Sequence, residues 1–358
     1  MSVFEILTPL LMAAVSAVCL GPLFMKVGLS LGMVDRPNDR KVSSRQGITL
    51  TGGPTVFVGC ALGLLVAQFP ADPSNEFEVK LLGFLLGGSI LLCVGLWDDR
   101  FYLSAWQKLP FQIVASLVAI WSGFSIDHFT SPFTLTTYDL PVLISWPITL
   151  AWILLVTNAL NLIDGLDGLA TGMGAIVAMT LVVICWQANQ VMGVVMGLSL
   201  LGALLGFLPF NFPPARAFLG DSGAYFLGFT LALISVQAYR KEALVTFIVP
   251  LIALAVPLLD VALSILRRLR RRDQIFSPDN MHMHHRLLRK EGTHRRAVLW
   301  LYFQTLCFGL IAISFSRLNG FLGYLILIVV GILTFRLLRN LGLLSVESDG
   351  DETIDTQE

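Results

Sequence analysis

Long apolar runs recur along the chain, each closed by a short polar cluster, as in "LPVLISWPITLAWILLV" and "LATGMGAIVAMTLVVICW". A spanning helix needs about 20 mostly apolar residues. Runs of that kind are centred near residues 15, 60, 88, 117, 151, 178, 200, 231, 255, 306 and 329. The pattern predicts an all-α polytopic membrane protein with about eleven transmembrane helices. No soluble domain of any size is expected: residues 1–340 form a single transmembrane domain, and 341–358 an acidic, disordered tail. The first run has no basic segment before it and no small-residue cleavage site after it, so it is expected to stay as a helix.

Composition agrees with the pattern. Hydrophobic residues make up 55% and charged residues 13% of 358, with mean hydropathy +0.76, more apolar surface than a soluble domain could hide. Net charge is zero, but the charges are not evenly spread. With the N-terminus outside, 20 of the 24 Lys and Arg residues fall in inside loops or at their helix ends, leaving Lys80, Arg240, Lys241 and Arg317 outside. This asymmetry orients the chain and puts the C-terminus in the cytoplasm. The five cysteines lie within apolar runs without metal spacing and read as small core residues.

On that topology the polar clusters sort to one face. "VDRPNDRK" and "TGG" flank the first inside loop, "WDDR" and "LSAWQK" the second, and "NALNLIDGLDG" the third. "NFPPARAFLGDSG" follows in the fourth, and "RRLRRR" through "SPDNMHMHHR" in the fifth. One cytoplasmic site assembled from several loops is the economical inference. Asp98 and Asp99 are adjacent, Asp164 and Asp167 are three apart, and Asp221 starts an apolar run. Carboxylates near membrane depth are costly, and five of them call for a cation. Oxygen donors without cysteine suit Mg²⁺ or Mn²⁺, which commonly bridge carboxylates to substrate phosphates. "DGLDGLATG" and "GDSGAYFLG" each lead into a helix whose bared N–H groups favour an anion. Lys108 and the arginine-rich loop can neutralise phosphate oxygens from the other flank.

Every cluster also has a plainer reading. "WDDR" reads equally as a solvated helix end, Asp164 and Asp167 as turn formers beside Gly165 and Gly168, and Asp221 as a helix cap. The run at 267–272 doubles as a topology signal. His282, His284 and His285 could hold a metal, but with no acidic or thiol partner nearby they read better as phosphate donors. Five such coincidences on one face are less economical than one site.

Taken in order and spacing, "WDDR", "NALNLIDGLDGL", "FLGDSG" and "SPDNMHMHHR" resemble the polyprenyl-phosphate N-acetylhexosamine-1-phosphate transferases of glycosyltransferase family 4. The resemblance runs from about Asp35 to Arg286. It is strongest to the bacterial branch that uses undecaprenyl phosphate and UDP-N-acetylglucosamine. The muramoyl-pentapeptide branch usually carries Pro-Thr-Met-Gly-Gly and three consecutive histidines, where this chain reads "TLTGG" and "HMHH".

The resemblance implies a magnesium- or manganese-dependent enzyme of the bacterial inner membrane whose active site faces the cytoplasm. It would move N-acetylglucosamine 1-phosphate onto undecaprenyl phosphate with release of UMP, the first membrane step of O-antigen, common-antigen or related cell-envelope polysaccharide synthesis. By the same analogy Asn161 and Asp221 hold the metal. Asp98, Asp99, Asp164 and Asp167 are catalytic carboxylates, Asp98 toward the lipid phosphate with Asp99 supporting it. Lys108, Asn158, Asp167, Arg267, Arg268, His282, His284, His285 and Arg286 bind substrate, Asp167 near the uridine and the basic loop on diphosphate or sugar. A route through an aspartyl phosphate stays open, as do other UDP-N-acetylhexosamine donors and a homodimer; nucleic acid is not an expected partner. A transporter of a phosphorylated solute is the rival class, but it would be expected to show paired repeats, and none is evident.

Overall fold

The computed structural model describes residues 3–35, 47–67, 76–130, 136–238, 248–271, 287–288 and 293–316, and positions 329, 331, 332 and 336. Its helices are α1 (Val3–Ser30), α2 (Gly52–Leu65), α3 (Glu76–Phe101), α4 (Ala105–Trp121), α5 (Val142–Ile163) and α6 (Leu169–Gln187). They continue with α7 (Val191–Asn211), α8 (Gly220–Gln237), α9 (Ile248–Ala253), α10 (Ala255–Arg271) and α11 (His294–Phe315). Six of them are long and apolar enough to cross a membrane: α1, from Leu7, with α3, α5, α6, α7 and α11. The molecule is a polytopic, multi-pass helical protein.

Ten of the eleven predicted centres fall within these helices. The eleventh, near 329, lies where only scattered helical positions are described. The run near 255 differs from expectation, because α9 and α10 are separate helices that meet at Leu254. Pro257 follows three residues later; it lacks an N–H and its ring crowds the preceding turn, so the helix breaks there.

Helix α8 is the axis of the bundle. It packs against α2, α3, α5, α6 and α7, and it is buried along nearly its whole length. The apolar windows of α6 and α7 are 78% and 83% buried, against 22% for α1, so α1 belongs to the outer layer. Its Leu11, Val15 and Leu23 are exposed, as are Leu82 and Leu86 on α3 and Phe303 and Leu310 on α11. So much apolar surface suits hydrocarbon rather than water.

Four short strands depart from an all-helical reading. Strands β2 (His128–Thr130) and β3 (Thr137–Asp139) form a hairpin at one end of the bundle. At the other end, β1 (Thr49–Leu50) pairs in parallel with β4 (Ala217–Phe218), and Gly53 N–H donates to Leu219 O at 3.1 Å. This pairing joins the entries to α2 and α8, so the "TGG" and "FLGDSG" clusters are neighbours.

Candidate active site

Three helix ends meet beside the β1–β4 pair: the last turn of α3, the first turn of α4 and the last turn of α5, all around the start of α8. Asp98 sits in the last turn of α3 and is almost wholly buried. Its Oδ1 accepts from Leu103 N at 2.9 Å, which closes the turn into α4. Its Oδ2 accepts the Tyr225 hydroxyl at 3.0 Å and pairs with the Lys108 ammonium. Lys108 lies in the first turn of α4, where Gln107 Oε1 reaches back to Ser104 N at 2.8 Å and fixes the helix start. The same ammonium is 4.0 Å from Asp221 Oδ2. A single cation therefore stands between carboxylates of α3 and α8.

Asp221 is the more open of the two, with its side chain 36% exposed against 2% for Asp98. Its Oδ1 accepts from Asn161 Nδ2 at 2.6 Å, so the fourth and third polar clusters meet as side chains. Asp99 faces elsewhere. Its Oδ1 accepts from Asp221 N at 2.7 Å, and its Oδ2 from Ser222 N at 3.2 Å and Ser222 Oγ at 2.8 Å. The approach is close because Gly95 on α3 carries no Cβ; one built there would lie 2.2 Å from Ser222 Cα.

The remaining expected residues take varied places. Asn158 is engaged by Gln112 of α4 through a reciprocal amide pair, at 2.9 Å and 3.3 Å, and also donates to Leu154 O. Asp164 is half-buried at the C-terminal cap of α5. Asp167 Oδ2 accepts from Ala215 N at 3.0 Å, tying the α5–α6 turn to the loop before β4. Around that junction Thr171 donates to Asn211 at 2.6 Å, Asn211 to Ala217 O at 2.9 Å, and Arg295 of α11 to Pro213 O at 3.0 Å. Arg268 is half-buried in the last turn of α10, and Arg267 precedes it in the same helix. His282, His284, His285 and Arg286 lie outside the described residues.

Among the described residues no three His, Cys, Asp or Glu side chains are grouped as metal ligands. The five carboxylates expected around a cation form no such group there; Asp221 and the Asn161 amide, which touch, are the pair that could hold one. Both are hard oxygen donors, and a divalent cation held by so few protein ligands keeps positions for water and phosphate.

Residues 81–239, which carry Asp98, Lys108, Asn161 and Asp221, match glycosyl transferase family 4. Over 327 residues the chain is 31% identical to a Bacillus subtilis (strain 168) protein named "Probable undecaprenyl-phosphate N-acetylglucosaminyl 1-phosphate transferase", covering 91% of this chain and 89% of that one. The chain belongs to glycosyl transferase family 4. A relative from Mycolicibacterium smegmatis, named decaprenyl-phosphate N-acetylglucosaminephosphotransferase, is 34% identical over 77% of this chain and 73% of its own. Another from Yersinia pestis, named undecaprenyl-phosphate alpha-N-acetylglucosaminyl 1-phosphate transferase, is 27% identical over 82% and 80%. The resemblance carried by the motifs holds, and the chain is a membrane transferase.

Two members of this family 4 site escape a reading by residue type. Tyr225 looks like core, yet it falls one turn after Asp221 on α8, the spacing that puts two side chains on one face. Gln112 is a lone polar residue in an apolar helix, again one turn after Lys108. In both cases the signal is that spacing from a charged residue.

Proposed function

We propose that the protein transfers N-acetylglucosamine 1-phosphate from UDP-N-acetylglucosamine to undecaprenyl phosphate and releases UMP, at the cytoplasmic face of a bacterial inner membrane. The observation that carries this reading is Lys108 set between Asp98 and Asp221, in a family whose relatives bear that activity in their names. The relatives' names differ in polyprenyl length, so the shared acceptor class is a polyprenyl phosphate.

Asp221 and Asn161 fit Mg²⁺ or Mn²⁺. They already touch from different helices, and a half-turn of the Asn161 amide puts its oxygen where its nitrogen now stands. Bound there, the cation would offset charge on the donor's phosphoryl oxygens. Lys108, within reach of the same space, does so from the other side. An oxygen of the acceptor phosphate attacks the phosphorus that bears the sugar; the bond from that phosphorus to the UMP oxygen breaks, and UMP leaves with the electron pair. If the acceptor arrives protonated, Asp98 takes the proton. Tyr225 and Leu103 N–H hold Asp98 in place for that role. Product sugar would enter cell-envelope polysaccharide synthesis, of which the O-antigen and common-antigen routes are examples.

Purified protein given UDP-N-acetylglucosamine and undecaprenyl phosphate is expected to release UMP, to stop with EDTA and to recover with Mg²⁺ or Mn²⁺. Release of UDP would mean ordinary glycosyl transfer and would replace this reading. A screen of other UDP-N-acetylhexosamines decides the donor.

A further inference from the structure

The two neighbouring aspartates at the end of α3 are bonded in opposite directions. Asp98 turns toward Lys108 and Tyr225, as a group at the reacting face would. Asp99 is buried, and both its oxygens are taken by donors at the start of α8: Asp221 N, Ser222 N and Ser222 Oγ. The first N–H groups of a helix have no partner within it and need a cap. Helix α8 lacks one of its own, since Leu219 at its N-terminal boundary makes no capping side-chain bond. A carboxylate from a different helix supplies it.

The backbone is shaped for this arrangement. Gly220 has φ +73°, a left-handed value that favours glycine, and a Cβ there would sit 2.8 Å from Asp99 Oδ2. The glycine thus clears the space through which Asp99 reaches the helix start. The residue whose N–H donates the shortest of these bonds is Asp221 itself, whose side chain meets Asn161 and faces Lys108.

Resting on the reading of the site given above, we infer that Asp99 is a positioning residue, which touches neither substrate nor metal and acts by capping α8 so that the Asp221 carboxylate is aimed at its cation. The adjacent pair divides the work, with Asp98 at the chemistry and Asp99 behind it. In Asp99→Asn, the amide nitrogen meets an N–H donor of α8 where an oxygen stood. Gly220→Ala reaches the same end without changing a charge, by pressing a methyl group against Asp99.

The test titrates Mn²⁺ by electron paramagnetic resonance on purified full-length protein, beside UMP release at graded Mg²⁺. Asp99→Asn and Gly220→Ala are each expected to weaken Mn²⁺ binding roughly tenfold, about the loss of one charge-assisted bond, with turnover recovering at high Mg²⁺. Asp221→Asn should lose binding outright without recovery, and adding Asp99→Asn to it should change nothing further. If neither of the first two variants folds, Ser222→Ala removes one of the three bonds and keeps the charge; it should weaken binding roughly two- to fivefold. Wild-type binding in Asp99→Asn, or in Ser222→Ala where that variant stands in, would overturn the inference. So would unrecoverable loss in Asp99→Asn equal to that of Asp221→Asn, because Asp99 would then be a ligand. Wild-type protein that binds no Mn²⁺ overturns this inference and the metal assignment together. Binding without UMP release removes only the proposed reaction, because the Mn²⁺ comparison still judges Asp99.

Discussion

Lys108 is the only residue whose ammonium reaches both Asp98 and Asp221 among the described residues, and its side chain is largely shielded. A shielded cation between two carboxylates is an anion site in waiting, since an arriving phosphate can take over part of its pairing. Lys108→Met keeps the length and the apolar stem but removes the charge. It is expected to cost about 1.5–3 kcal/mol of transition-state binding, roughly 10- to 150-fold in kcat/KM. Steady-state kinetics on the purified variant read this directly, and unchanged kinetics would remove Lys108 from the site. At this scale the residue types were informative and their partners were not. Asn158 and Asn161 look alike in "NALNLIDG", yet one pairs with Gln112 and the other with Asp221. Tyr225 reads as core because an aromatic in an apolar run normally is core, and beyond its place one turn after Asp221 only its bond to Asp98 says otherwise.

Between elements, what matters is how closely α3 and α8 approach. A Cβ on Gly95 would come within 2.2 Å of Ser222 Cα, and 2.6 Å of Ser222 N. These are backbone atoms of a buried helix start, which cannot swing aside as a flexible side chain could. Gly95→Ala should therefore part α3 from α8, stretch the bonds from Asp99 to Asp221 and Ser222, and destabilise the fold by about 1–3 kcal/mol, as overpacking commonly does. A lowered thermal unfolding midpoint in detergent, together with a loss of turnover beyond that seen for substitutions on the lipid-facing side of α3, checks this. The sequence pattern foretold where the helices lie, because apolar runs of bilayer length leave little choice. It did not foretell the break at Leu254 or the β1–β4 pairing. The first depends on the strength of a single proline, and the second on two-residue segments with no periodicity to read.

On the scale of the whole molecule, the described polar clusters, from Thr51 to Ser222, are far apart in sequence and yet assemble at one end of the bundle. The hairpin of β2 and β3 lies at the other. The order of motifs makes this assembly legible in the sequence, because an even number of predicted crossings returns the chain to the same face. Which face that is depends on the distribution of Lys and Arg, and that charge pattern predicts the site end in the cytoplasm. In a cysteine-free background, Tyr138→Cys in the exposed hairpin should react with an impermeant thiol reagent in intact spheroplasts, and Ser104→Cys beside the site only after lysis. The reverse pattern would turn the site away from a cytoplasmic nucleotide sugar.

In the proposed reaction the sugar travels with its phosphate, and Asp221 makes this possible. The most direct measurement uses UDP-N-acetylglucosamine labelled in the phosphorus next to the sugar, with undecaprenyl phosphate and Mg²⁺, on wild type and Asp221→Asn. Wild type is expected to deliver the label into the lipid product in equal amount to unlabelled UMP, and Asp221→Asn to deliver almost none while remaining folded. Label that stays with the nucleotide as UDP, or full transfer by Asp221→Asn, would contradict it.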